Sequence, residues 1–278
     1  MSDSREQVCA RLRAMGRGAD EHIDIGEAAL QLAALDRPGV RLDWYRAHLR
    51  ELAQEVATAA AAEPPSLAGR VAALRVAIAE RYGYAGDSLT YDDLQNANLI
   101  RVIDRRKGLP VALGILYIQA GRAQGWSVAG LNVPGHFLVG VAHGGQRAIV
   151  DPFNDGRTVN AAELRALLKQ SLGDDAEIDP EYHEPVTTRD VLMRLQQNIK
   201  SRLIRQNRYA EAGSVVESML LFAPDCVSLW REAGILNART GNVAAAIAAL
   251  EGFLIRSADE PARHEAAVLL QRLRSRLN

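Results

Sequence analysis

The stretch that decides the fold runs from residue 134 to residue 154: Pro134-Gly135-His136-Phe137-Leu138-Val139-Gly140-Val141-Ala142-His143-Gly144-Gly145-Gln146-Arg147-Ala148-Ile149-Val150-Asp151-Pro152-Phe153-Asn154. A Gly-Gly centre between two apolar runs predicts a β-hairpin, because both glycines reach the positive φ that a two-residue turn demands. With Gly144 and Gly145 in the turn, His143 pairs with Gln146, Leu138 falls opposite Asp151, and His136 falls opposite Phe153. His136 and Asp151 are then diagonal neighbours on one face, about 7–8 Å apart at the backbone, a gap that side chains can close. An imidazole oriented by a carboxylate is half of a nucleophilic triad. The same pair also serves as a structural tie across the mouth of a hairpin.

Working outward, Trp126–Val133 reads as a third strand. Before it, Gly108-Leu109-Pro110 opens a helix that is apolar on nearly every side and ends before Gly125. Proline suits the first helical turn, where its missing N–H costs nothing. Further upstream, apolar residues repeat at three and four, predicting helices from Ile25 to Pro38-Gly39, from Leu42 to about Ala62, from Leu67 to Arg81, and a short one from about Asp92 or Leu94 to Ile103. Helices followed by a small antiparallel sheet with a helix against it make an α+β arrangement. Trp44, Trp126 and Trp230 are expected at packing positions.

Downstream, residues 173–186 read as a linker, and the chain beyond is helical with a period of 34. Asn207 aligns with Gly241, Ala212 with Ala246, and Val216 with Leu250. Residues 193–226 and 227–260 therefore resemble two tetratricopeptide repeats, followed by a capping helix from Ala262 to Leu277. The expected division is a flexible tail over 1–20, an α+β domain over 21–172, the linker, and a repeat domain over 187–278. Repeat geometry places Arg194, Gln197, Ser201, Ser228, Arg231 and Ile235 on an inner groove, the two arginines suited to carboxylates.

Composition narrows the function classes. The chain has 278 residues, 48% hydrophobic and 24% charged, an ordinary globular balance. Its 33 basic and 34 acidic residues leave a net charge of −1, which argues against a nucleic-acid or membrane-surface partner. Two cysteines, Cys9 and Cys226, form no CxxC, so no structural zinc is expected, nor any other metal or cofactor. No long apolar run and no leader-like start are present, so a cytoplasmic protein is expected.

The strings Pro134-Gly135-His136-Phe137-Leu138 and Asp151-Pro152-Phe153-Asn154, with Asn98 and the run Arg105-Arg106-Lys107-Gly108-Leu109-Pro110, resemble the SirB1 family of bacterial proteins. The resemblance implies a transglutaminase-like, cysteine-protease-like core followed by tetratricopeptide-like repeats. In catalytic members of that superfamily a Gly-x-Cys opens the central helix, and a strand histidine and an aspartate complete the triad. His136 and Asp151 match the histidine and aspartate, and Gly108-Leu109-Pro110 matches Gly-x-Cys, so Pro110 stands at the nucleophile position. Proline carries neither nucleophile nor proton. The resemblance thus implies a non-catalytic domain coupled to an interaction module whose partner is a protein or peptide. The alternative is a hydrolase in which His136 activates water and Asp151 orients it, with no cysteine. Whether His136 opens to a cleft or is plugged by Phe137, Phe153 and the N-terminal helices separates the two.

Overall fold

The structure is a computed structural model that describes residues 4–62 and 64–275. It divides into two units. The first comprises the chain up to Val8 and Ala19–Leu195; the second comprises Cys9–Gly18 and the chain from Gln196 onward.

The first unit is built on helix α6, Pro110–Arg122, preceded by α2 (Ile25–Leu35), α3 (Asp43–Ala60), α4 (Leu67–Arg75) and α5 (Leu99–Arg105). Helix α4 runs on into a π-helical turn over Val76–Arg81. α6 is buried from Pro110 through Ile118, as its all-round apolar sequence requires. A four-stranded antiparallel sheet packs on it, in the order β3 (Ser127–Leu131), β4 (Leu138–His143), β5 (Gln146–Asp151) and β6 (Arg157–Thr158). The sheet approaches α6 closely because Gly114 offers no side chain. A Cβ there would lie 2.4 Å from Cε1 of Phe137. The other sheet face holds a cluster of Leu131, Val133, Leu138, Val159, Leu164 and Leu168, the last two from α7 (Ala161–Leu172). The hairpin register is the expected one, with His143 opposite Gln146 and Val139 opposite Val150. A second, two-stranded parallel pair joins β1 (Ala85–Gly86) to β2 (Lys107–Gly108), just before α6.

The second unit holds α9 (Tyr209–Phe222), α10 (Val227–Arg239), α11 (Val243–Arg256) and α12 (Glu260–Arg274), which follow α8 (Thr188–Arg205). The helix pairs and the closing helix fall where the 34-residue period places them. Residue 277, the expected end of that helix, lies outside the described residues. The core of α11 and α12 is formed by Ala246, Leu250, Phe253, Ala266, Leu270 and Leu273.

Three expectations are corrected. The segment 1–20 is not a tail: α1 spans Arg5–Arg17, with Val8 and Leu12 buried, although residues 1–3 lie outside the described residues. The apolar signal there is only Val8, Leu12 and Met15, too sparse among charged neighbours to stand out. The contact boundary near the repeats falls inside α8, between Leu195 and Gln196, and not within 173–186. Trp44 is 56% exposed and not in the core.

Candidate functional site

Asp151 ends β5 and His136 precedes β4, so the hairpin register brings them together. Nε2 of His136 lies 3.1 Å from Oδ1 of Asp151. The approach is not that of a well-directed hydrogen bond, and it is a close charge-orienting contact. Asp151 is fully buried, and its own loop supplies donors. Oδ1 accepts from the Phe153 N–H at 3.0 Å and the Asn154 N–H at 3.3 Å, and Oδ2 accepts from Asn154 Nδ2 at 2.7 Å. Burial pushes this carboxyl's pKa up, but His136 and these donors outweigh burial and hold it below its usual value. Asp151 is therefore an ionised anchor at neutral pH.

His136 itself has a side chain 17% exposed. The Phe153 ring meets it edge-on with centroids 6.4 Å apart. Phe137 points the other way, toward α6, so the partial plug is Phe153 alone of the two. Arg194 fixes the loop from behind, donating to the carbonyls of Val133 at 3.1 Å and His136 at 3.0 Å, with its guanidinium over Phe137. This side chain belongs to the first unit and is engaged there, which differs from its expected place in a repeat groove.

Pro110 is the first residue of α6 and is buried. The turn before it is tied to the Asp151 loop. Gly86 pairs with Gly108, its N–H donates to the Phe153 carbonyl at 3.1 Å, and a Cβ on Gly86 would lie 2.6 Å from three atoms of the Phe153 ring. A polar knot that sequence reasoning missed supports the same turn. Buried Asp87 accepts from Thr90 Oγ1 at 2.6 Å and Arg105 at 2.7 Å. Arg105 also donates to Asn96 Oδ1 at 2.8 Å, and the Asn96 carbonyl accepts from the Leu109 N–H at 2.8 Å. Hydrogen bonding from Thr90, then Arg105 and Asn96, outweighs burial and holds the Asp87 carboxyl far below its usual pKa. An Asp three residues after the string Arg81-Tyr82-Gly83-Tyr84 carries no motif, so only the fold reveals it.

The other expected residues are placed as follows. Gln197, Ser228 and Ile235 are exposed, while Ser201 and Arg231 are half-buried. Arg231 is bonded to Glu265 of α12. Cys9 lies on α1 and Cys226 caps α10; both belong to the second unit, whereas His136 and Asp151 belong to the first. Among the described residues no group of three or more His, Cys, Asp or Glu is placed to hold a metal ion. Among them, no helix is long and apolar enough to cross a membrane.

Comparison with known proteins agrees with this layout. Residues 43–197 match the family described as the transglutaminase-like superfamily, and residues 199–274 match the tetratricopeptide repeat. A UPF0162 protein of Vibrio cholerae serotype O1 is 33% identical over 204 residues, covering 73% of this chain and 75% of the relative. A UPF0162 protein of Xylella fastidiosa is 29% identical over 188 residues, covering 66% and 67%. The solved structure of menin aligns with 95% of this chain and 74% of its own at 10% identity and a TM-score of 0.38, too low to bear on fold or function.

Proposed function

The chain belongs to the transglutaminase-like superfamily and to the UPF0162 proteins, and from that premise we propose that it acts by binding another protein through its tetratricopeptide repeats. In this reading the His136–Asp151 pair is kept as framework. The observation that carries it is Pro110, a buried imino acid at the first position of α6, where a catalytic relative would present its thiol. A helix N-terminus lowers the pKa of a thiol placed there and so activates it, but proline gives that field nothing to act on. The pair's geometry fits the same reading. The carboxylate is saturated by its own loop, and the imidazole turns Nε2 inward with Phe153 over its edge.

On the repeat side, Ile235 is 45% exposed in the middle of α10, an apolar anchor with no structural need to face water. Gln197 and Ser228 offer polar contacts beside the half-buried Ser201 and Arg231. The reading extends to a regulatory scaffold of the bacterial cytoplasm in the SirB1 family, supported by the Pro134–Leu138 and Asp151–Asn154 strings.

The test is quantitative affinity capture from native lysate with the intact chain, His136→Ala and Ile235→Glu, run beside a hydrolysis panel of esters, thioesters and amides. The expected result is one partner held by the intact chain and by His136→Ala, and lost by Ile235→Glu. Hydrolysis that disappears in His136→Ala would overturn the reading in favour of a water-activating hydrolase. A partner lost with His136→Ala but kept with Ile235→Glu would move the working surface to the hairpin.

A further inference from the structure

We propose that Arg106 is an oxyanion receptor, and that the aromatic cluster around it takes a small ligand made of a planar ring bearing a carboxylate or a phosphate. The run Arg105-Arg106-Lys107 is only half used by the site above. Arg105 belongs to the polar knot; Arg106 does not.

Arg106 closes α5 in the left-handed conformation, with φ at 59°. A non-glycine residue persists there only where its surroundings hold it. They do so through Nη1, which lies 2.6 Å from Nε2 of His48 and also bonds the Tyr84 hydroxyl. The guanidinium carbon sits 4.7 Å from the Tyr84 ring centroid and 5.5 Å from that of Tyr82. All of these holders are neutral. Burial, and then the charge of Arg106, lowers the His48 pKa to about 4, so Nε2 is an unprotonated acceptor at neutral pH. Burial raises that of Tyr84 well above its usual value, so it is a phenol and not a phenolate.

The positive charge therefore has no counter-ion at close range. Among the described residues no carboxylate comes within ion-pair distance of Arg106. The acids nearby are occupied or turned elsewhere. Asp104 accepts from Tyr45 and Arg37, and Glu55 holds Arg81. Glu51, 67% exposed, lies 3.9 Å from Nδ1 of His48, the ring nitrogen opposite the one that meets Arg106. Nε and Nη2 of Arg106 donate to no described residue. A half-buried guanidinium pinned at one nitrogen and unused along the opposite edge presents two parallel donors, the geometry that grips a carboxylate or phosphate bidentately.

The neighbouring surface adds a ring preference. Trp44 stacks on His48 at 5.6 Å and 11°, meets the Tyr45 ring at right angles at 4.9 Å, and is 56% exposed, so part of its indole is open to a ligand ring. An aromatic body gains there what a bare ion does not. Exposed Lys107 follows in sequence and strengthens attraction for an anion.

The experiment titrates the full chain with benzoate and with phenyl phosphate, using acetate and inorganic phosphate as ring-free controls, by calorimetry and tryptophan fluorescence. Arg106→Gly removes the donors while glycine keeps the left-handed turn without strain. Arg106→Asn is the second variant, since asparagine also tolerates that conformation. Circular dichroism and unfolding midpoints confirm that each is folded. The expected result is saturable one-to-one binding of at least one ring-bearing probe, weakened about tenfold or more in a folded Arg106 variant and severalfold in Trp44→Leu. Which probe binds tells carboxylate from phosphate. No saturable binding of either probe at millimolar concentration, or unchanged binding in a folded Arg106 variant, overturns the proposal. Ring-free controls binding as tightly as the ring-bearing probes would overturn the ligand class.

Discussion

His48 makes the stability of the first unit depend on pH in a way that can be worked out in advance. Its imidazole is buried, its Nε2 accepts from Arg106, and its folded pKa is lowered from 6.5 to about 4, first by burial and then by the charge of Arg106. In the unfolded chain the same group titrates near its ordinary value of about 6.5. A folded pKa below the unfolded one means that the unfolded chain binds the proton first. Stability is thus full above the unfolded pKa and drains away as pH falls toward the folded one. Linkage puts the loss at about 2 kcal/mol between about pH 7.5 and about pH 5, rising to about 3 kcal/mol at about pH 4. Other histidines and the acids also titrate, so the clean quantity is the difference between the native chain and His48→Gln, which keeps a polar side chain but no proton site. That difference should shrink by about 2 kcal/mol over the same interval. Urea unfolding at each pH, read by pulsed hydrogen exchange of the α3 peptides Asp43–Ala60, reports the first unit specifically. A difference that stays flat with pH would refute the reasoning, because it would mean that His48 is solvated or already charged in the folded state.

Three further outcomes are expected. Gly86→Ala drives a methyl into the Phe153 ring and should cost about 1–3 kcal/mol while raising the reactivity of His136 toward diethyl pyrocarbonate, measured by mass spectrometry. Glu232→Gln should destabilise the second unit by about 3 kcal/mol, more than Lys200→Met does, because it strands an ammonium that is only 4% exposed; hydrogen exchange of α10 would show the order reversed if Lys200 reaches water unaided. Asp151→Asn should cost about 2 kcal/mol at neutral pH, and this cost should fade as pH falls below the usual carboxylate range, since a carboxyl held below its ordinary pKa contributes only while ionised; unfolding curves that differ equally at neutral and acid pH would contradict it.

The hairpin was readable because its signals are local. Gly144-Gly145 fixes the register, and the register alone brings His136 to Asp151. The helices were readable from periodicity, and the repeats from a spacing of 34. What escaped depends on tertiary contact. The Asp87 knot joins Asp87 and Thr90 of a loop, Asn96 of a 3-10 turn and Arg105 of α5, so no single periodic element carries it. Arg106 stands where a left-handed helix end usually has glycine, and its contacts with His48, Tyr82 and Tyr84, which hold an arginine there, are tertiary. Arg194 sits at a groove position in the repeat numbering, yet its reach back to Val133 and His136 is invisible to that numbering.

The chain passes between the two units three times, at Val8–Cys9, Gly18–Ala19 and Leu195–Gln196, and the first and last of these passages fall inside α1 and α8. Neither unit is therefore a contiguous stretch of gene. A recombination event that swapped everything after the hairpin would carry off the body of α8 and leave Cys9–Gly18 behind, although Gly16 packs its backbone against Leu221 and Phe222. A junction placed at the first or last passage would cut a helix in two, and one that left out Cys9–Gly18 would take from the second unit a segment that belongs to it.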